Sequence, residues 1–507
     1  MAHRADESLP VWSPSGEQTM SFETLTGDLR TETCVVGAGM AGLSVAWHLA
    51  RAGQRVTVVE SGPGPGLGET GRSTAHLASA VDDGFVVLEH LFGPAGARAV
   101  AESHAAAIDW IERQITDGGI ECGFRRLDGW LFNPPTGGID LGAEAAAASR
   151  AGLSATLEAR APLAGFQTGL AIRFGAQARM DPRAFIHGLA AACARLGVRL
   201  LGNAPVVSVE GGHPARVSTG QGWHVLADAV VVATDSPIND RIAIHSKLVP
   251  MRTYAVALEA AAEGADPDAL YWDSADPYHY VRFGEAGDGA RVLIVGGEDH
   301  RVGQPAHGQE RWQRLEEWAR QRFAGLGAVK ARWSGQIIEP VDRIAFIGRN
   351  PGESNVFVAT GDSGNGITHG AIAGLVISDL VLGRDNAWAR LYDPARLTLK
   401  AAQGYADAGL KVAEHYAEWL TGGEVDDVAL IPPGGGAVVR QGLSKLAVYR
   451  DESGQLHKRL AACSHMKCVV AWNDAERSWD CPCHGSRFDR FGRVLNGPAT
   501  SPLAPEG

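Results

Sequence analysis

No stretch of 18 or more apolar residues occurs in this sequence, so it predicts no membrane-spanning helix. The first thirty residues also lack an apolar h-region and a twin-Arg pair, which makes a cytoplasmic location the expectation. Basic charge is scarce. Lys and Arg number 46 against 58 Asp and Glu, a net charge of -12, and no basic patch interrupts the acid excess. Nucleic acid and anionic membrane are therefore disfavoured as main partners. Cysteine is sparse too: of 7 in the chain, Cys34, Cys122 and Cys193 stand singly in apolar surroundings and read as inert core residues. What remains is an ordinary globular composition, 45% hydrophobic and 21% charged. At 507 residues the chain is too long for one core and predicts about three structural units.

The other four cysteines crowd the carboxyl-terminal end, in CSHMKC and CPCHGSRF. Cys463, His465, Cys481 and His484 there form two loops that each offer one thiolate and one imidazole. Any Cys2His2 set can bind zinc, but zinc modules usually pair Cys with Cys and His with His. One of each per loop is the ligand set of a Rieske 2Fe-2S cluster, in which two His on one iron raise the potential above that of an all-Cys cluster. The segment resembles the Rieske family. That resemblance implies a disulfide between Cys468 and Cys483, and a covering loop at Gly497 and Pro498. Lys467 and Phe488 depart from the family pattern, where Gly and Tyr are usual, while Ser486 is kept. Fewer hydrogen bonds to sulfur imply a potential below that of respiratory Rieske centres.

At the other end, Thr33 to Val36 form a short apolar strand that runs into Gly37-Ala38-Gly39-Met40-Ala41-Gly42. A helical stretch follows, then a second strand ending at Glu60, with Ser61 beside it. This is a complete dinucleotide fingerprint: glycines for the tight turn and close approach of pyrophosphate to a helix N-terminus, and a carboxylate for the adenosine ribose. No second such fingerprint follows a strand elsewhere, so electrons are expected to enter from an organic substrate and not from NAD(P)H. The segment Val356 to Gly383, with Gly361, Asp362, Gly364, Gly366, Ile367 and Thr368, resembles the second FAD motif of the glycine/D-amino acid oxidase (DAO) superfamily. LADAVVVATDS, containing Ala233 and Thr234, and APVVSVE, containing Val206 and Val207, resemble further cofactor-contacting segments of that family. The loop GLGETGRSTAHL would run along the isoalloxazine and offers Gly71, Arg72, Ser73, Thr74 and His76.

The two resemblances imply an α/β fold followed by a β fold. A Rossmann-like FAD-binding domain (31–395, after an extension at 1–30) is interrupted by an α+β substrate domain. Its blocks are about 82–176, helical by pattern, and 249–333, rich in strands. An amphipathic connector helix (396–425), with Leu397, Tyr405, Leu410, Val412, Tyr416 and Leu420 near helical spacing, leads to a small all-β Rieske domain (426–507). In the roof over the flavin, Tyr254, Tyr278, Tyr280, Trp333 and Gln336 are substrate-site candidates, and Arg282 or Arg252 could clamp a carboxylate. Strand alternation keeps His279 and Tyr280 from facing the same side. Arg72, His76, Tyr280 and Arg282 are the catalytic candidates. The family reading implies FAD and a 2Fe-2S cluster, a small amine or amino acid substrate, and an external one-electron acceptor, protein or quinone. An oxidase using dioxygen and a pure electron-transfer protein stay open as alternatives. A Rieske oxygenase is disfavoured, because only about twenty residues follow His484 to supply a mononuclear iron site.

Overall fold

The computed structural model describes residues 8–12, 20–239, 244–261, 266–304 and 308–506. The strand Leu29–Val36 is fully buried over its last four residues, because it runs inside a parallel sheet covered on both faces. It pairs in parallel with Val56–Val59 on one side and His224–Val232 on the other. The latter strand also pairs in parallel with Val356–Thr360, so both glycine-rich turns leave the same edge of one sheet. The helices that follow, Met40–Arg51 and Gly366–Val381, touch almost backbone to backbone. A Cβ on Gly370 would sit 2.7 Å from Met40 Cγ, and one on Gly374 2.7 Å from Ser44 Cβ. Small residues thus bring two helix N-termini side by side at the sheet edge, where their dipoles favour anionic ligand groups.

A second nine-stranded sheet faces this unit. Its order runs Val329–Pro340, Leu248–Glu259, Arg291–Arg301, His279–Glu285, Leu270–Asp273, Arg125–Phe132, Ala171–Arg179 and His76–Leu77, with Ala155–Glu158 also pairing to Ala171–Arg179. The block 82–176 is therefore not helical throughout. It contributes the long helix Phe85–Gly118, broken at Gly93 ahead of Pro94, but also three strands of the roof sheet. Short apolar runs such as GWLF carry no helical period, and sheet pairing claims them.

The carboxyl-terminal unit is all β, with a three-stranded sheet (Gly436–Gln441, Ser444–Arg450, Leu456–Leu460) and a four-stranded one between Ala471 and Asn496. The connector helix spans Ala402–Ala417. Only part of its apolar stripe docks: Val412, with Trp419 just beyond the helix, packs against the cluster-domain core, while Leu397, Leu410 and Leu420 are 69%, 63% and 85% exposed. Polar bonds add to that packing, from Tyr416 Oη to the Met466 carbonyl (2.6 Å) and from Trp419 Nε1 to the Lys467 carbonyl (2.9 Å). Among the described residues, no helix is long and apolar enough to cross a membrane.

Candidate active site and metal centre

A cavity of about 1220 Å³ runs from the first glycine turn, under the roof sheet, to the carboxyl-terminal domain. At its nucleotide end Gly37 has φ +105°, and a Cβ there would lie 2.4 Å from the Ala233 carbonyl oxygen. A Cβ on Gly42 would meet the Gly37 oxygen at 2.0 Å. Glycine is the residue these positions allow. Glu60 accepts from the Ala38 and Gly62 N–H groups (both 2.8 Å) and from Ser61 Oγ (2.9 Å), so its carboxylate is fixed beside the turn. Gly37, Gly39, Met40, Ala41, Glu60 and Ser61 line the cavity, as do Val206, Ala233 and Thr234. Ala38, Gly42 and Gly71 shape the turns without lining it. Val207 turns outward, 37% exposed, because it alternates with Val206 on one strand. At the second turn, Gly361, Asp362, Gly364, Gly366 and Ile367 line the cavity. Thr368 does not: it is buried and returns its hydroxyl to the Asn365 carbonyl. A glycine cradle, a fixed carboxylate and two converging helix N-termini fit the dinucleotide of FAD.

Farther in, Ser73, Thr74, His76 and Tyr280 line the cavity, with Tyr278 beside them. His76 Nδ1 lies 3.2 Å from Thr74 Oγ1 and its ring meets that of Tyr280 edge-on. Burial, assisted by the nearby Arg282 charge, depresses its pKa to about 3, so the imidazole is neutral near pH 7. Tyr280 hydrogen-bonds Thr253 Oγ1 (3.2 Å), and burial raises its phenol. His279 points the other way, stacked on Trp318 and bonded to Asp273 (3.0 Å), as strand alternation requires. Asp82 lies against the Gly364 backbone; burial and its acidic neighbours Asp83, Asp299 and Glu339 raise it to about 7.

The arginines are placed otherwise than the sequence suggests. Arg282 donates to the carbonyls of Thr74 (2.5 Å), Met180 (2.9 Å) and Phe283 (3.2 Å) and borders a separate cavity of about 510 Å³. It props up the 73–76 loop from behind and does not reach the main cavity. Arg72 touches the cavity wall, but its guanidinium donates to the Ser334 and Ser8 carbonyls and to Glu476 (2.9 Å). Arg252 is 1% exposed and bonded to Glu476 as well. Tyr254 is buried in the roof and bonds His300. Trp333 donates to the Arg72 carbonyl, and Gln336 lines the cavity while donating to the Gly485 carbonyl (3.1 Å).

In the carboxyl-terminal domain Cys463 and Cys481 are each 1% exposed and His484 is 8% exposed, while the rings of His465 and His484 stand 5.1 Å apart. Hydrogen bonding to Cys481, against the cost of burial, lowers the Cys463 thiol to about 7, while its partner Cys481 is raised. His484 Nδ1 is buried with no hydrogen-bond partner among the described residues. Cys468 and Cys483 form a disulfide, so although their sulfurs lie near Cys481 Sγ they are not free to bind metal. Two buried, hydrogen-bonded thiols and a pair of adjoining imidazoles, one with an orphaned ring nitrogen, fit a mixed Cys/His iron-sulfur cluster. Lys467 has φ +64°, which explains why Gly is the usual residue there. Ser486 Oγ accepts from the Ala499 N–H and bonds the Cys463 sulfur, and Phe488 is wholly buried.

The cluster loops dock directly on the flavin-side domain. A Cβ on Gly485 would lie 2.6 Å from Gln336 Nε2 and 2.8 Å from Pro250 Cβ. Asn496 Nδ2 donates to Glu69 (2.9 Å), and Val494 to Gly497 line the same cavity as the first glycine turn. At the seam, the Glu476 carboxylate accepts from Ser8 (2.7 Å), Ser334 (2.5 Å), Arg72, Arg252 and Arg487. Burial alone would raise this acid. The three guanidiniums overcome that cost and hold it well below the usual carboxylate range. Sequence reasoning misses Glu476 and Asp82, which stand in no motif, and passes over Glu69 in the GLGETGRSTAHL loop and Asn496 beside Gly497, whose partners only the fold supplies.

The family model for FAD dependent oxidoreductases of the DAO type matches residues 32–380, and the Rieske [2Fe-2S] domain model matches 418–505. Over 99% of its length the chain is 27% identical to Bacillus subtilis YhfW, a protein named for a Rieske 2Fe-2S centre, covering 98% of that protein. The gamma-glutamylputrescine oxidoreductase of Escherichia coli is 25% identical over 75% of this chain and 91% of its own. Glycine oxidase from Geobacillus kaustophilus superposes with a TM-score of 0.60 at 20% identity, over 73% of this chain and 99% of that one. The chain belongs to the DAO family of FAD-dependent oxidoreductases and carries a carboxyl-terminal Rieske domain.

Proposed function

We propose that this protein is a dehydrogenase that oxidises a carbon–nitrogen bond of a small amine or amino acid and passes the electrons through its cluster to an external one-electron acceptor. The observation that carries this reading is the shared cavity: cluster-domain residues Val494 to Gly497 close the same space that the glycine turn and roof line. Bound there, FAD would take up a hydride and the 2Fe-2S cluster would relay single electrons. Gly37, Gly39 and the N-terminus of Met40–Arg51 would hold the pyrophosphate, and Glu60 the ribose. Cys463, His465, Cys481 and His484 would hold the cluster. Ser73, Thr74, His76 and Tyr280 would shape the substrate end.

Within this reading the lining favours an amine cation over an amino acid carboxylate. Among the described residues lining the cavity, Arg72 carries the one guanidinium or ammonium group, and it is committed to Glu476. Asp82 faces the cavity beside Tyr278 and Tyr280, an arrangement of carboxylate and aromatic rings suited to an alkylammonium. Anaerobic mixing with a panel of primary and secondary amines and of amino acids tests this. Amines are expected to bleach the flavin faster than their carboxylated counterparts, with no hydrogen peroxide in proportion to turnover in air when an artificial one-electron acceptor is present. Stoichiometric peroxide under those conditions would make the protein an oxidase instead.

A further inference from the structure

His245 belongs to the flavin-side domain, yet its ring centroid lies 5.1 Å from that of His465 and 5.4 Å from that of His484. It is 3% exposed, and its Nε2 donates to the Pro237 carbonyl at 3.0 Å. Pro237 lies within the segment Thr234–Ile238, of which Thr234, Asp235 and Ile238 line the main cavity. The same segment meets the cluster domain's covering loop: a Cβ on Gly497 would lie 3.3 Å from both Ile238 Cγ2 and the Ser236 carbonyl oxygen. One short stretch of chain therefore borders the cavity and, through His245, both imidazoles. Among the described residues, no other aromatic ring outside the two cluster loops packs on either of them.

We propose that His245 is a positioning residue for electron transfer, which seats the two cluster imidazoles on the flavin-side domain and fills the gap between them and the cavity wall with packed, hydrogen-bonded atoms. The proposal rests on the reading that electrons leave through the cluster. In that sequence the substrate hydride delivers two electrons and one proton. The proton would go to water, and bound FAD and cluster would carry the two electrons one at a time to an external one-electron acceptor, which is reduced in their place. Electron transfer weakens steeply across unfilled space, so an imidazole that touches both ligands and the cavity-bordering chain shortens the through-space portion of the path. As an outer partner of both candidate ligands it also fixes their ring orientation, and loss of such a partner typically costs on the order of 10- to 100-fold in function.

The test uses full-length protein loaded with FAD and cluster, and compares wild type with His245→Leu and His245→Phe. Flavin is reduced photochemically without oxygen or substrate, and cluster reduction is followed by its absorbance and its EPR spectrum, with iron content checked in each sample. The Leu variant is expected to slow cluster reduction about 10- to 100-fold and to shift the EPR g-values. The Phe variant, which keeps a ring in the gap, is expected to fall between Leu and wild type, and it decides the matter if the Leu variant fails to load its cluster. Wild-type rates in the loaded variants would overturn the role of His245 alone. No cluster reduction in wild-type protein would overturn the electron route itself, and this inference with it.

Discussion

The nucleotide end of the cavity and the seam between the two domains are built from opposite materials. At the nucleotide end the decisive bonds join near neighbours: Ala38 to Glu60 across 22 positions and Met40 to Thr70 across 30. Backbone groups and glycines do the work there. At the seam Glu476 collects Ser8, Arg72 and Arg252 across 468, 404 and 224 positions, with side chains only. A local backbone cradle leaves a spacing pattern in the sequence, whereas a long-range charge cluster leaves none. The first should tolerate damage to its neighbours, and the second should fail as a unit, because each of its members is buried on the strength of the others.

Removing the central charge is the hardest test of that contrast. Glu476→Gln leaves Arg72, Arg252 and Arg487 facing one another without their shared counter-charge, and Nε and Nη1 of Arg252 have no hydrogen-bond partner among the described residues to compensate. Breaking a buried pair costs about 3–5 kcal/mol, so urea midpoints should fall and the cluster domain should become protease-sensitive while FAD stays bound. The pH dependence has a definite sign. Since folding lowers the Glu476 pKa, its contribution is complete above the ordinary value of 4.5 and is lost as the pH falls below it. The wild type should therefore lose more stability than the variant on acidification in that range. A stability unchanged by the substitution would show that the seam is held elsewhere.

Glu60→Ala strikes the nucleotide end. It removes one carboxylate from a cradle that is otherwise mostly backbone, and FAD affinity should weaken by roughly 1.5–3 kcal/mol with the cluster signal intact. Equilibrium dialysis of FAD measures it, and an unchanged Kd would mean that another group holds the ribose. A smaller effect is expected from Asp82→Asn, where KM for an amine should rise about tenfold, the low end of the roughly 1.5–3 kcal/mol of a charge-assisted bond. Because burial raises the Asp82 carboxyl to about 7, the charged form is gained as the pH climbs through that value. KM for the amine should accordingly fall between about pH 6 and pH 8 in the wild type and stay flat in the variant. A flat wild-type profile would remove Asp82 from substrate binding.

The same contrast explains what could be read in advance. The glycine turns, Glu60 and the two Cys/His loops are contiguous patterns whose chemistry fixes their residue types, and they are legible in the chain, while the Cys468–Cys483 bridge follows from the Rieske resemblance and is present in the structure. The sequence offers Arg282 or Arg252 as a carboxylate clamp, but residue type and strand position say nothing about partners. One is claimed by the Thr74, Met180 and Phe283 carbonyls and the other by Glu476. The connector's apolar spacing points to a docked stripe, and Val412 and Tyr416 of it do meet the cluster domain, but Leu397, Leu410 and Leu420 stay exposed and two carbonyls of the cluster loop complete the docking. His245 and Asp82 belong to no motif and acquire meaning only from where the fold sets them.

The central claim is that one chain's cluster serves the cavity in the same chain. Rapid-freeze EPR after anaerobic mixing with a reactive amine tests it most directly, repeated over a wide range of protein dilution. The account predicts flavin reduction first and the cluster signal second, with a rate for the second step that does not change on dilution. A cluster that is reduced more slowly in proportion to dilution, or that stays oxidised while the flavin is fully bleached, would contradict it.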